Sequence, residues 1–262
     1  MNLLALDTST EQMSVCVARD DGNGARLWQF SGAGGAQASN SLIPTIMGLL
    51  TQAQLSLTQL DAICFGSGPG SFTGLRTACA VAQGLSLGSG VPVLPVNSLL
   101  AVAECARAEI AARSGFSGPD GLTICAMLDA RMNELYVATF QYRCEDQSGI
   151  ATGLWTTLEE PELLSPVAVA EYTRAHHAPF LAGTGLELVI KPQPSECDWF
   201  PELVPATPDA TALLRLAPQL LHAGLAVPAD HALPTYVRDK VAQTTAERTA
   251  IKAAMAASAA ST

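Results

Sequence analysis

Two segments far apart in the chain share one pattern, and this internal repeat constrains the fold more than any other feature. An apolar run ends in an aspartate at Asp7 and again at Asp129, in the stretches LALD and AMLD. A polar turn follows each aspartate, and then a segment of alternating apolar and polar residues, which is typical of a half-buried strand. Two related lobes are the simplest explanation. Helix and strand patterns alternate after each unit, so we expect each lobe to be a mixed sheet flanked by helices.

The chain of 262 residues is long enough for two lobes with full cores. The stretch RSGFSGPDG at residues 113–121 is rich in Gly, Ser and Pro and is typical of a hinge. We assign residues 1–112 to an N-terminal lobe and 113–206 to a C-terminal lobe, with a helix over 207–225 returning to the first lobe. The alanine-rich residues 241–262 are predicted to be disordered.

The charge balance argues against direct binding of nucleic acid by this chain. It has 14 Lys and Arg against 24 Asp and Glu, a net charge of -10, and the basic residues are scattered. Affinity for a phosphate backbone comes from clustered positive charge. The sequence also lacks a secretory signal and any run of ~20 apolar residues that could span a membrane. We expect a cytoplasmic protein that does not bind membranes.

A glycine-rich loop, GSGPGS, precedes a helix predicted over residues 73–87. Gly66, Gly68 and Gly70 permit close approach of the backbone, and Ser71 is a suitable N-cap. The loop has neither the lysine nor the spacing of a P-loop, and it does not match the dinucleotide motif GxGxxG. A tight turn between strand and helix is therefore favoured over a phosphate site.

The helix over residues 73–87 has almost no polar face. Its only long polar side chains, Arg76 and Gln83, are seven residues apart and nearly superimposed, whereas a helix on the outside of a sheet normally shows a broad polar face. One stripe consists of small residues that would let a second helix approach closely: Thr73, Thr77, Ala80 and Gly84. The other face is apolar and suits a sheet: Leu75, Ala78, Cys79, Ala82 and Leu85. Both faces of the helix are therefore predicted to be buried, either entirely inside its own lobe or with one face against a partner.

Side chains suited to catalysis are few. No histidine precedes residue 176, none has a metal-binding spacing such as HExxH, and the nucleophile motif GxSxG is absent. Asp7 and Asp129 close equivalent strands. Each could hold a metal-bound nucleotide or simply cap its own turn, and the spacing leaves both alternatives open.

Six stretches of the chain together resemble one protein family: LLALDTSTEQMSV, GSGPGSFTGLRTACAVAQGLSLG, VPVLPVNSLLAVAE, MLDARMNELYVA, LAGTGLE and HALPTYVR. They are similar to the TsaB family, formerly YeaZ, which belongs to the bacterial machinery that forms threonylcarbamoyladenosine in tRNA. The resemblance runs through most of the chain up to Arg238, and its GPGSFTGLR segment is highly specific. It implies an α/β fold of the actin-like, Hsp70-like (ASKHA) class with two related lobes.

The resemblance also implies a function and partners. TsaB-like chains are non-catalytic paralogues of the catalytic subunit TsaD and pair with it, and the ATPase TsaE joins the assembly. The complex transfers a threonylcarbamoyl group to the adenosine next to the anticodon, so this chain would meet tRNA only through the complex. Pairing uses helices that match residues 39–50 and 73–87 here, and the chain alone is expected to form a homodimer. The implied interface residues are Leu42, Ile46, Thr73, Arg76, Thr77, Ala80 and Gly84.

No metal, and at most weak binding of ATP or ADP, is expected from the same resemblance. TsaD-like proteins carry two metal-binding histidines where this chain has Ser98 and Val102, neither of which can replace imidazole as an iron or zinc ligand. The glycine-rich second phosphate turn of TsaD is replaced by DARMNE, while GTG at residues 183–185 resembles the family's adenosine loop. The residues left for a nucleotide are Asp7, Thr8, Gly68, Gly70, Gly183 and Gly185.

Two other functions compete with that of a scaffold. An actin-like kinase or ATPase would use Asp7 and the glycine loops, but it would need the phosphate turn that DARMNE replaces. Metallopeptidase is an older label for the wider family, but this chain lacks the metal ligands that such an enzyme needs. We therefore expect a non-catalytic scaffold and activator subunit with no catalytic residue.

Overall fold

A computed structural model of the chain describes residues 1–22, 24–35, 38–114, 121–147, 150–189 and 199–238. The predicted disordered tail and most of the predicted hinge lie outside these residues. The strands are β1 (Leu3–Asp7), β2 (Gln12–Asp20), β3 (Ala25–Ala33), β4 (Ala62–Gly68), β5 (Val93–Asn97), β6 (Leu122–Asp129), β7 (Leu135–Gln147), β8 (Ile150–Leu164), β9 (Phe180–Gly183) and β10 (Glu202–Pro205). The α-helices are α1 (Ala38–Ala53), α2 (Phe72–Ser89), α3 (Ser98–Ser114), α4 (Pro166–Ala175) and α5 (Ala210–His222). None of the helices in the described ranges is long and apolar enough to cross a membrane.

The strands form two five-stranded sheets with the same topology. The first sheet has the order β3-β2-β1-β4-β5, and the second has the equivalent order β8-β7-β6-β9-β10. In each sheet the first two strand pairs are antiparallel and the last two are parallel. The predicted repeat of two mixed-sheet lobes is confirmed: β1 and β6 are equivalent central strands, and each ends at an aspartate.

Helices α3 and α5 form a layer between the two sheets. Helix α3 contacts strands of both sheets, and α5 packs against α3 and the first sheet. One continuous apolar cluster includes Leu3 of β1, Ala103 of α3, Ile124 of β6 and Leu213 of α5. Because the two lobes share this core, their relative position is set by packing. Helices α1 and α2 cover the outer face of the first sheet, and α4 covers that of the second.

Strand β10 is not predicted from the sequence, because the residues after β9 show only the pattern of a proline-rich loop. The strand has four residues and pairs in parallel with β9, from Glu202 opposite Phe180 to Pro205 opposite Gly183. So short a segment carries no readable periodicity, and its extended conformation depends on the neighbouring strand.

A buried ionic network ties this central layer to the edge of the second sheet. Glu104 of α3 is only 3% exposed. Its carboxylate accepts two hydrogen bonds of 2.7 Å from Arg107, one of 2.7 Å from Arg215 of α5 and one of 3.0 Å from the indole of Trp155 in β8. Burial by itself raises the pKa of Glu104, but the hydrogen bonds and charges of these partners outweigh it and hold the pKa below its usual value. The ionised carboxylate joins α3, α5 and β8.

We expect Glu104→Leu to lower the free energy of unfolding by about 3 kcal/mol, because two arginines and an indole lose their acceptor. Glu104→Gln keeps an acceptor and should lose less. Since the folded state lowers this pKa, the contribution is complete above the ordinary glutamate value and disappears as the pH falls through the folded-state pKa. Urea unfolding at several pH values measures both effects.

The control for this experiment is Glu109→Gln on the same helix, which removes an exposed ion pair with Arg113. It should stay within about 0.5 kcal/mol of the wild type. Equal losses in the Glu104 and Glu109 variants would contradict the role of the buried network.

Candidate functional site

A cleft of about 560 Å³ opens between the lobes, where the central strands of both sheets end. This is the position at which α/β sheets bind ligands. Its walls are the turn after β1, the glycine-rich loop before α2, the turns after β6 and β9, and residues 235–238, which follow α5 in the chain. Representative lining residues are Thr10, Ser71, Asp129 and Thr184.

Asp7 lies beneath the cleft and does not line it. Its side chain is buried, and its Oδ1 accepts hydrogen bonds from the Ser9 N–H at 2.9 Å and the Ser9 hydroxyl at 2.8 Å. Its Oδ2 is packed against Gly66 and has no hydrogen-bond partner among the described residues. Burial raises the pKa of Asp7 to about 6, although the hydrogen bonds from Ser9 oppose the rise. Asp7 therefore caps its own turn, one of the two alternatives that the sequence left open.

The equivalent aspartate of the second lobe also caps its turn. Asp129 Oδ1 accepts a hydrogen bond of 2.7 Å from the Arg131 N–H. Arg131 then reaches across the cleft to form an ion pair with Glu11 of the first lobe, and Arg238 pairs with Glu134. Sequence reasoning missed these cleft contacts, because their members are more than one hundred residues apart and the chain carries no local signal for them.

The glycine-rich loop closes onto the turn after β1. The Ser71 N–H donates to the Ser9 carbonyl at 2.7 Å, and the Thr8 hydroxyl donates to the Gly74 carbonyl at 2.7 Å. The Ser71 hydroxyl accepts from the Gly74 N–H at 3.4 Å, so the predicted N-cap is confirmed. A side chain at Gly74 would overlap the Thr8 carbonyl, and one at Gly70 would lie 2.5 Å from the Ser9 carbonyl oxygen. Close backbone packing thus requires these glycines, as the tight-turn interpretation predicts.

The structure separates the six residues predicted to hold a nucleotide. Two of them line the cleft: Gly70 and Gly185. Gly183 faces an adjoining groove, while Gly68 lies against the Thr235 carbonyl. Asp7 and Thr8 are 1% and 0% exposed. The prediction is wrong for Asp7 and Thr8, because side chains without accessible surface cannot touch a ligand.

Helix α2 carries the predicted small-residue stripe on its exposed side. Thr73, Ala80 and Gly84 are exposed, Thr77 is half-buried, and a Cβ on Gly84 would meet nothing within 4 Å. The opposite face packs on the first sheet as predicted, through Leu75, Ala78, Cys79 and Ala82. One flank of the helix is occupied by the chain itself, because the Gln83 amide donates to the Ala232 carbonyl at 2.8 Å.

The interface prediction for α1 is wrong at Leu42 and Ile46. Both are 0% exposed and belong to the core of the first lobe. The exposed apolar side chains of this helix are Ile43 and Met47. The apolar stripe of α1 is wide enough to pack on the sheet and also to face a partner, and the sequence pattern does not say which edge of the stripe is buried in the lobe.

The positions that would carry metal ligands in TsaD have structural roles here. The Ser98 hydroxyl accepts a hydrogen bond of 3.2 Å from the Gly68 N–H, and Val102 is buried in the shared core. In the part of the chain that the structure describes, no three His, Cys, Asp or Glu side chains come together to hold a metal ion.

Two glycines of α2 offer a test of the close packing between the glycine-rich loop and the turn after β1. We expect Gly74→Ala to lower the free energy of unfolding by about 2 kcal/mol, because its Cβ would overlap the Thr8 carbonyl. Gly84→Ala is the matched control and should raise it by up to about 1 kcal/mol, since the site is open and alanine favours a helix. Chemical denaturation measures both. A stabilised Gly74→Ala protein would show that the loop and the turn are not in close contact.

Comparison with known proteins gives consistent matches. The family described as "TsaD: tRNA N6-adenosine threonylcarbamoyltransferase" matches residues 35–158. The tRNA threonylcarbamoyladenosine biosynthesis protein TsaB of Escherichia coli is 31% identical over 254 residues, which cover 92% of this chain and 96% of the relative. The corresponding protein of Haemophilus influenzae is 38% identical over 138 residues, 52% of each chain.

Solved structures agree with these matches. YeaZ from Pseudomonas aeruginosa superimposes with a TM-score of 0.66 at 32% identity, over 90% of this chain and 99% of its own. A second structure from that organism, described as similar to peptidase YeaZ, gives a TM-score of 0.70 at 33% identity with the same coverage. The two equivalent lobes have the actin-like ASKHA fold. By sequence over nearly its whole length and by fold, this chain belongs to the TsaB (YeaZ) family.

Proposed function

We propose that this chain is a non-catalytic subunit of the assembly that forms threonylcarbamoyladenosine in tRNA, where it acts as scaffold and activator of a TsaD-like catalytic paralogue. The observation that carries the proposal is the exposed face of α2, which consists of small residues on a helix whose opposite side is already buried. The relatives are named as tRNA threonylcarbamoyladenosine biosynthesis proteins. The region that matches the TsaD family includes both α1 and α2.

The exposed face is suited to a second helix pair. The small side chains of the stripe permit close approach of another backbone. Ile43 and Met47 are exposed apolar side chains of α1, which contacts α2. Exposed apolar side chains on neighbouring helices favour a protein–protein contact at this side of the molecule. A paralogue with the same two helices can cover it in a pseudo-symmetric pair, and a second copy can do so when the paralogue is absent. Homodimer and heterodimer therefore compete for one face.

The other members of the assembly belong to the same proposal. A TsaE-like ATPase and tRNA join the heterodimer, and tRNA is not held by this chain alone, since its basic residues are few and scattered. A kinase or ATPase mechanism in the cleft is not part of this proposal. Asp7 is covered, and the turn after β6 is engaged in an ion pair with Glu11. A nucleotide would be held weakly, through the open turn at Gly185.

Ala80→Arg tests the proposed interface. We expect it to abolish both the homodimer and the complex with the paralogue, because a long charged side chain would be buried without a partner where two helices must approach closely. Ala80 is exposed in the isolated chain, so the melting temperature should stay near that of the wild type. Gel filtration with light scattering measures assembly, with and without the paralogue.

The matched control is Ala175→Arg, which places the same side chain at an exposed position of α4 in the other lobe. It should assemble as the wild type does. Normal assembly of Ala80→Arg, or its failure to fold, would show that α2 does not form the partner surface.

We expect the purified chain not to hydrolyse ATP. Ionisation of Asp7 should change only the free energy of unfolding. Its folded-state pKa of about 6 lies above the ordinary value of 3.8, so the wild type should lose roughly 2 kcal/mol as the pH rises from about 4 to 6. Asp7→Asn cannot ionise and should remove this pH dependence. ATPase turnover that survives re-purification and disappears in Asp7→Asn would contradict a non-catalytic role.

A further inference from the structure

The first turns of α2 carry two aromatic rings around one arginine. The Arg76 guanidinium lies 3.8 Å from the centroid of the Phe72 ring and 5.9 Å from that of the Tyr236 ring. Its Nε donates a hydrogen bond of 3.0 Å to the Tyr236 hydroxyl. The centroids of the two rings are 5.7 Å apart. All three side chains are exposed, so they form an organised group on the surface and not part of a core.

Residues 232–236, which follow α5 in the chain, hold this group in place. The Thr235 N–H donates to the Ser67 carbonyl at 2.7 Å, and the Ala232 carbonyl accepts a hydrogen bond from Gln83 of α2. These bonds fix the backbone on both sides of Leu233 and bring Tyr236 over the beginning of the helix. The guanidinium of Arg76 is therefore oriented before any partner arrives, which reduces the entropy lost on binding.

Arg76 has no counter-ion within the described chain. No Asp or Glu of the described ranges forms an ion pair with it, although the chain has 24 acidic residues and only 14 basic ones. The hydrogen bond to Tyr236 uses Nε, which leaves the fork of the two Nη groups for another acceptor. Arg131 and Arg238 at the same cleft both pair with carboxylates.

We propose that Arg76, oriented by Phe72 and Tyr236, binds a carboxylate of the TsaD-like partner. The proposal rests on the proposed function and deepens it. Arg76 flanks the stripe between Thr73 and Ala80, so a helix packed there would remove water from the guanidinium. A desolvated guanidinium needs an anion, and a carboxylate matches its planar fork with two parallel hydrogen bonds.

A protein carboxylate is favoured over a phosphate of tRNA as the acceptor. Affinity for a nucleic-acid backbone depends on several basic side chains acting together. The group around Arg76 is one cation held between two aromatic rings, and Arg131 and Arg238 of the adjoining cleft already pair with carboxylates. This is the composition of a protein–protein hot spot, where Arg and Tyr are enriched.

The test is titration calorimetry of the full chain with the purified paralogue. Arg76→Ala should weaken the Kd by about 30-fold, and Arg76→Glu by more, because like charges then meet. Arg76→Lys should recover only part of the affinity, since lysine lacks the fork. The matched control is Arg26→Glu, which replaces an exposed arginine stacked on Trp28 of β3 and should bind as the wild type does. Added salt should weaken the wild type more than Arg76→Ala.

A second variant tests whether Tyr236 positions Arg76 or only stabilises the fold. Tyr236→Phe removes only the hydroxyl that orients Arg76 and should weaken binding about 5-fold at an unchanged melting temperature. In the Arg76→Ala background the same change should have no further effect, because the two residues act through one contact. Additive losses would contradict the positioning role of Tyr236.

The outcomes distinguish this proposal from the proposed function. If Arg76→Ala and Arg76→Glu bind the paralogue normally while Ala80→Arg does not, the carboxylate contact is wrong and the scaffold function stands. If the wild type does not bind the paralogue, both are wrong. If Arg76→Glu pairs normally but weakens binding of tRNA to the assembled complex, the acceptor is a phosphate, and the carboxylate proposal is overturned.

Discussion

The close contact between the glycine-rich loop and the turn after β1 determines much of what this molecule can do. Gly70 and Gly74 let the backbone of the loop lie directly on Thr8 and Ser9, and hydrogen bonds join the two segments. The contact leaves no space for a ligand between the loop and the turn. The same contact sets where α2 begins. Gly66 of the same loop packs against Asp7, and the apolar face of α2 on the first sheet leaves the small-residue side exposed.

The rest of the structure supports α2 as a fixed platform. Helices α3 and α5 join both sheets in one apolar cluster, and the carboxylate of Glu104 holds this layer to the edge of the second sheet. Across the cleft, Arg131 pairs with Glu11. The partner surface that we propose on α2 would gain from such a well-packed base, because less conformational freedom is then lost when a partner binds.

Open α/β sheets bind ligands at the carboxyl ends of their strands, whereas here the polar groups at that place are largely engaged by the chain itself. The central aspartates of both lobes cap their own turns, and Ser98 supports Gly68. The exposed side of α2 has no comparable internal partner. Arg76 stands at the junction of the two regions, because Phe72 and Tyr236, which hold it, also line the cleft. This contrast is the reason why we propose the surface of α2, and not the cleft, as the functional face.

The sequence by itself determined the two-lobed architecture, since strand alternation and the repeated aspartate are local patterns that survive without tertiary information. It also determined the two faces of α2, because helical spacing assigns residues to sides. It could not decide which edge of the wide α1 stripe turns inward, so Leu42 and Ile46 were misassigned. Nor could it show that Asp7 is buried or that Arg76 meets Tyr236. Those contacts join segments up to 160 residues apart, and only the packing of the folded chain brings them together.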